Sequence, residues 1–99
     1  MNYTKINTDY TKALLKMMKE CPANGSLFWY MVIEADSHNT GYANINWISS
    51  RINLSTKLVK DSINYLTKNG WIELYSDPNY PSKFYIINPD IIECGRVVN

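Results

Sequence analysis

Histidine, cysteine and glycine are scarce in this chain, and each shortage excludes a class of chemistry. One His, two Cys and four Gly stand among 99 residues. His38 lies alone in a polar stretch, with no nucleophile motif beside it. Cys21 and Cys94 are far from any C-x-x-C spacing, so neither a zinc site nor a redox pair is indicated; both read as reduced thiols of an intracellular chain. The glycines are dispersed as turn and cap residues and form no phosphate-binding loop, and there is no paired-carboxylate motif. No enzyme, metal or cofactor is expected. Long apolar runs are missing as well. Residues 27–33 make the longest, at seven, against about 20 for a membrane span. The Met1 end lacks the basic-then-apolar pattern of an export signal. The expectation is a cytoplasmic protein without a membrane partner.

What is present is enough for one core. A hydrophobic fraction of 45% with 19% charged residues describes a globular chain rather than a disordered one. Ninety-nine residues suffice for a single small domain, taken as 1–99. Net charge is only +1, but it is unevenly spread. Residues 1–19 carry +3, residues 20–50 carry −3 with no Lys or Arg, residues 51–70 carry +3, and the rest carry −2. A local basic face, not the total, governs attraction to nucleic acid.

The second basic segment has the clearest local grammar. Ser55 is a helix N-cap, its hydroxyl available to an orphaned backbone N–H of the first turn. Leu58, Val59, Ile63 and Leu66 follow at helical spacing and define one buried stripe. Thr56, Lys57, Lys60, Asp61, Asn64 and Lys68 fall outside it. Asn69-Gly70 ends the helix, because both residues tolerate the left-handed conformation found there. Just upstream, residues 46–52 read as a short helix with Asn46 as cap and Ile48 and Ile52 on one face. Ser49 is small where two helices must approach closely. Asn53 occupies the turn, where positive φ favours Gly and then Asn. The result is helix, tight turn, helix.

A hairpin comes next. Residues 71–76 and 83–88 are aromatic and β-branched, and the loop between them carries Pro78 and Pro81, which exclude regular strand. The amino-terminal half supplies two further helices, at 8–20 and 26–36. Thr8 or Asp9 caps the first, residues 21–25 form a linker, and Ser26 caps the second. A short strand at 42–45 pairs with the hairpin. The helices are thus 8–20, 26–36, 46–52 and 55–69, and the fold class is α+β, a winged helix-turn-helix whose wing tip is the loop 76–82.

From about Ser26 to Ile92 the chain resembles winged-helix proteins of Firmicute plasmids and phages, particularly their small replication initiators. The resemblance rests on the Ser-started helix closing in Leu66…Gly70-Trp71-Ile72 and on Tyr85-Ile86-Ile87-Asn88-Pro89-Asp90-Ile91-Ile92 after the wing. Asn53 departs from the family's usual turn glycine. The resemblance implies double-stranded DNA as partner and origin binding in replication as role. Transcriptional repression, or centromere binding as a segregation adaptor, uses the same apparatus, and a replication or segregation protein is then a further partner. A rival of another class is a protein-docking module that binds no DNA.

Residue by residue, the helix at 55–69 would enter the major groove with Ser55, Thr56, Lys57, Lys60 and Asn64 toward DNA. Asn bonds adenine bidentately and Thr meets a thymine methyl. Arg51, Lys68, Tyr80 and Lys83 would serve the backbone or the wing contact. Asp61 would repel phosphate, so it is expected to pair with a neighbouring lysine. Phe28, Trp47 and Trp71 sit at core spacing, whereas Tyr3, Tyr10 and Tyr42 are partner-contact candidates. The first helix has more apolar residues than one inward stripe requires. Leu14, Leu15, Met17 and Met18 are therefore candidates for a homodimer contact.

Overall fold

The computed structural model describes residues 2–96. Strand β1 (Asn2–Ile6) leads through a 3-10 turn (Thr8–Tyr10) into α1 (Thr11–Glu20), followed by α2 (Pro22–Glu34) and β2 (Thr40–Tyr42). Then come α3 (Ile45–Ile52), α4 (Thr56–Lys68), β3 (Ile72–Tyr75), β4 (Phe84–Ile87) and β5 (Ile92–Arg96). The expected order of helices and wing strands holds, with strands β1 and β5 added at the two ends.

Two sheets flank the helices. One is antiparallel with order β2-β4-β3; the other pairs β1 with β5, Asn2 opposite Arg96 and Ile6 opposite Ile92. The β1–β5 pairing was not foreseen. Neither segment alternates strongly in polarity, and the partner strand lies at the opposite end of the described chain. The Tyr3 side chain lies outside the described part.

Residues 21–25 are not a linker. Pro22 occupies the start of α2, where its missing N–H is no loss and its fixed φ suits the helix. Asn24 and Gly25 are buried inside that helix. Gly25 is required by a close approach rather than a turn: a Cβ there would meet Met18 Cγ at 2.9 Å and Met18 Cα at 3.1 Å. The dipeptide Asn24-Gly25 carries a turn signal that helix packing overrides. The start of the preceding helix shifts too: residues 8–10 form a 3-10 turn capped by Asn7, which accepts the Asp9 N–H, and α1 itself begins at Thr11 with neither Thr8 nor Asp9 as its cap. Strand β2 lies at 40–42 instead of 42–45, because Asn44 is taken as the cap of α3, its Oδ1 accepting the Trp47 N–H at 2.9 Å. Asn46, assigned that cap from sequence, is exposed.

The core is built from Leu14 and Met17 of α1, Leu27, Phe28, Met31 and Val32 of α2, Ile48 of α3, and Val59, Ile63 and Leu66 of α4. Trp71, Ile72, Tyr85, Ile87, Ile91, Ile92 and Cys94 close it from the strand side. Phe28 and Trp71 meet edge to face with centroids 5.3 Å apart. Two residues expected in the core are not there: Trp47 is 58% exposed and Leu58 is 44% exposed. Each is the residue immediately before a fully buried one, Ile48 on α3 and Val59 on α4, and is turned about 100° off that inward face.

A polar residue ties the two sheets together. Asn39, 6% exposed and at φ 61°, donates through Nδ2 to the carbonyls of Ile87 (3.0 Å) and Ile92 (2.7 Å). Its Oδ1 accepts the Cys94 N–H at 2.8 Å. Beside it, the Tyr85 hydroxyl donates to the Met31 carbonyl at 2.7 Å and fixes β4 on α2. Burial, then the negative charge of Glu34, pushes the Tyr85 phenol well above its ordinary range.

Candidate nucleic-acid interface

The turn between α3 and α4 is set by three residues acting in sequence. Asn53 closes α3 in the left-handed region, φ 55° and ψ 44°. The Ser49 hydroxyl donates to the Leu54 carbonyl across the turn, and the Leu54 N–H returns to the Ser49 carbonyl at 3.3 Å. The Ser55 hydroxyl then accepts the Leu58 N–H at 3.1 Å and starts α4. At the far end the Trp71 N–H bonds back to the Leu66 carbonyl at 2.9 Å, with Gly70 at φ 77°. These caps fix both ends of α4, so its outward face has a defined direction.

Val59, Ser62, Ile63 and Leu66 face inward. Thr56, Lys57, Lys60, Asp61, Asn64 and Lys68 are all exposed. Lys57 pairs with Asp61 at 3.1 Å, one helical turn along, as the sequence suggested. Both partners are well exposed, at 85% and 59%, so the pair contributes only about 0–1 kcal/mol. Its consequence is local: Lys57 presents less net charge than Lys60.

Lys60 and Asn64 face a groove between α4 and the wing. Lys83, just before β4, joins them on its rim, while Ala43, Ile45, Ile63 and Leu74 line it as well. The cavity holds about 280 Å³. No carboxylate lines it. Lys60 and Lys83 make no ion pair among the described residues. The floor residues Ala43 and Ile45 carried no sequence signal for this role, because the groove forms only when the loop before α3 packs under β4, held by the Ala43 N–H to Lys83 carbonyl bond at 2.8 Å.

The remaining candidates are dispersed around this groove. Arg51 lies over the Trp47 ring, guanidinium carbon 4.8 Å from the centroid, on the exposed side of α3. This contact accounts for an exposed Trp47: the ring orients a cation rather than filling the core. Lys68 stands at the C-terminal end of α4, away from the groove residues. Tyr80 sits in the wing loop with its ring edge-on to Phe84, 5.3 Å between centroids. Among the dimer candidates, Leu14 and Met17 are 4% and 3% exposed and belong to the core, which corrects their assignment to an intermolecular contact. Leu15 and Met18 are exposed at 59% and 37%, and the Trp29 indole N–H points at the Met18 sulfur at 3.1 Å. Tyr10 packs against the core and Tyr42 is exposed at 60%.

Among the described residues no group of three or more His, Cys, Asp and Glu side chains is placed to hold a metal ion. No helix among them is long and apolar enough to cross a membrane.

Comparison with known proteins adds a likeness of fold. No protein-family model matches the chain, and no curated protein sequence does. A solved structure of reduced HlyU from Vibrio cholerae N16961 matches with a TM-score of 0.50 and 18% identity, over 81% of this chain and 78% of that one. The architecture is that of a winged helix-turn-helix, with α3 and α4 as the helix pair and β3–β4 as the wing.

Proposed function

We propose that this protein binds double-stranded DNA selectively, with α4 in the major groove and the wing alongside it, and that it acts in the control of transcription. The observation that carries the reading is the acid-free groove bounded by Lys60, Asn64 and Lys83 beside the outward face of a capped second helix. Phosphates on either side of a groove would meet Lys60 from the helix and Lys83 from the wing. Thr56, Lys57 and Asn64 would face base edges, where a bidentate Asn–adenine pair discriminates by about 1–3 kcal/mol. Arg51, held over Trp47, and Lys68 would neutralise flanking phosphates.

The likeness to HlyU favours regulation over replication initiation, and repression or centromere binding would use the same surface. The protein acts as a homodimer in this reading. Leu15 and Met18 of α1 and Ile33 of α2, all exposed, are the apolar candidates for that contact. A dimer would present two α4 helices about one duplex turn apart. Sedimentation equilibrium of wild type against Leu15→Glu tests that contact; a wild type that stays monomeric at tens of micromolar removes it.

The DNA reading is tested by the Lys60→Ala/Lys83→Ala double variant. Each lost phosphate contact lowers the slope of log affinity against log salt by about 0.9, so the double variant should lose about 1.8 per protomer, or about 3.6 for a bound dimer. Unchanged affinity and slope would favour the docking-module alternative.

A further inference from the structure

The wing has a second face that the DNA reading leaves unused except for the wing-loop candidate Tyr80. Tyr85 and Ile87 of β4 point into the core, so by strand alternation Phe84 and Ile86 lie on the opposite side. The register then sets Tyr42 of β2, Phe84 of β4 and Tyr75 of β3 in one row across three strands. Phe84 stacks with Tyr75 at 5.2 Å and 14°, and meets Tyr42 at 5.0 Å and 37°. Tyr80 closes the group edge-on from the wing loop. Tyr42, Tyr80 and Tyr75 nevertheless remain 60%, 51% and 40% exposed, so their rings are open to a partner.

Two carboxylates belong to this part of the wing, Glu73 on the strand face and Asp77 in the loop, where its Oδ1 also accepts the Asn79 N–H at 2.9 Å. Glu73 shares the face, two residues from Tyr75 on β3 and opposite Ile86. Asp77 lies at the base of the wing loop, its carbonyl accepting the Tyr80 N–H at 3.0 Å. Lys83, the nearest basic residue in sequence, lines the groove on the other side of β4. Aromatic faces attract cations through their ring quadrupoles, and flanking carboxylates reinforce that attraction while repelling phosphate. The chain already shows the same chemistry in miniature, with Arg51 over Trp47.

We infer that the outer wing face, Tyr42, Tyr75, Tyr80 and Phe84 with Glu73 and Asp77, is a docking surface for a basic segment of a protein partner, an arginine or lysine side chain seated on the rings and its charge met by the carboxylates. The surface lies across the sheet from the groove, so it operates without DNA and does not depend on the DNA reading.

The test uses the full chain, ¹⁵N-labelled and free of DNA. The probe is a short Gly/Ser peptide carrying three arginines, with the glutamine-substituted peptide and a thymidine oligonucleotide as comparisons. The arginine peptide should shift the amide signals of β3, β4 and the 76–82 loop, and the glutamine peptide should not. Tyr42→Leu/Tyr75→Leu should weaken arginine-peptide binding by about tenfold or more, and Glu73→Lys, which leaves every ring in place, should weaken it by a similar factor. A thermal melt of each variant reports folding independently. The inference is overturned if the arginine peptide shifts no signal on these strands, if the glutamine peptide binds equally, if either folded variant binds like wild type, or if the oligonucleotide occupies this face instead.

Discussion

Asn39→Ala should be among the most damaging single substitutions in the molecule, although it changes no charge and removes few atoms. Three side-chain hydrogen bonds disappear, to Ile87, Ile92 and Cys94. A hydrogen bond contributes about 1 kcal/mol net, and a buried group left without its partner costs about 1–3 kcal/mol. The position also sits at φ 61°, where a residue with a Cβ and no local side-chain bond carries a penalty of about 1–2 kcal/mol. Three bonds at about 1 kcal/mol each and the backbone penalty give a loss of about 4–5 kcal/mol before any cost of unpaired groups, a large share of the roughly 5–15 kcal/mol typical of a domain. Asn39→Gly removes the same bonds but not the backbone freedom, and should recover about 1 kcal/mol of that loss. Asn39→Asp keeps the acceptor for Cys94 but aims a carboxylate at two carbonyls, and should be no better than Ala. Urea unfolding at 25 °C measures all three, with the loss appearing as a lower midpoint at unchanged slope. An Ala variant within about 1 kcal/mol of wild type would refute the claim that this side chain clasps the two sheets.

Other consequences follow from the same packing. Gly41→Ala places a methyl group against the buried Tyr85 ring, which cannot retreat without breaking its bond to Met31; the melting temperature should fall by several degrees, corresponding to about 1–3 kcal/mol. The raised Tyr85 phenol makes stability pH-dependent in a known direction. An acid whose folded pKa exceeds its unfolded value contributes fully below the ordinary tyrosine range, near 10, and loses that contribution as pH climbs above it. Tyr85→Phe should therefore be less stable than wild type at pH 7 and show a shallower decline between pH 9 and 11, read from chemical unfolding at each pH. Asp61→Asn frees Lys57 from its carboxylate and removes a charge that repels phosphate; DNA affinity at low salt should rise by about threefold to tenfold by fluorescence anisotropy, with a salt slope steeper by up to about 0.9 per protomer. Weaker binding by that variant would mean that Asp61 reads a base.

The legible parts of this fold are those with short-range causes. Ser55, Asn53 and the Asn69-Gly70 end announce themselves because capping and positive φ depend on a few adjacent residues, and the two prolines fix the wing loop in the same way. The inward stripe Val59-Ile63-Leu66 and the Lys57–Asp61 pair were likewise readable from helical spacing. The rest required partners distant in sequence. Asn24-Gly25 looks like a turn until Met18 is packed against it. Asn39 looks like loop polarity until the carbonyls of Ile87 and Ile92 arrive. The β1–β5 pair has no local signature at all. In the candidate site, Lys60, Asn64 and Lys83 could each be named from the sequence, but their meeting around one groove depends on Ala43 and Ile45 passing beneath β4. Leu58 and Trp47 show the limit of periodicity: each is apolar and adjacent to a buried position, Val59 and Ile48, yet lies on the flank of the inward face.

Selection of bound duplexes from a random pool by the wild-type protein, followed by titration of the recovered sequence at several salt concentrations, decides whether α4 reads a groove. The expected outcome is an enriched repeated half-site, with the repeats about one duplex turn apart and affinity falling steeply as salt rises. A pool that returns no enriched sequence, with weak binding indifferent to salt, would contradict α4 as a groove-reading helix.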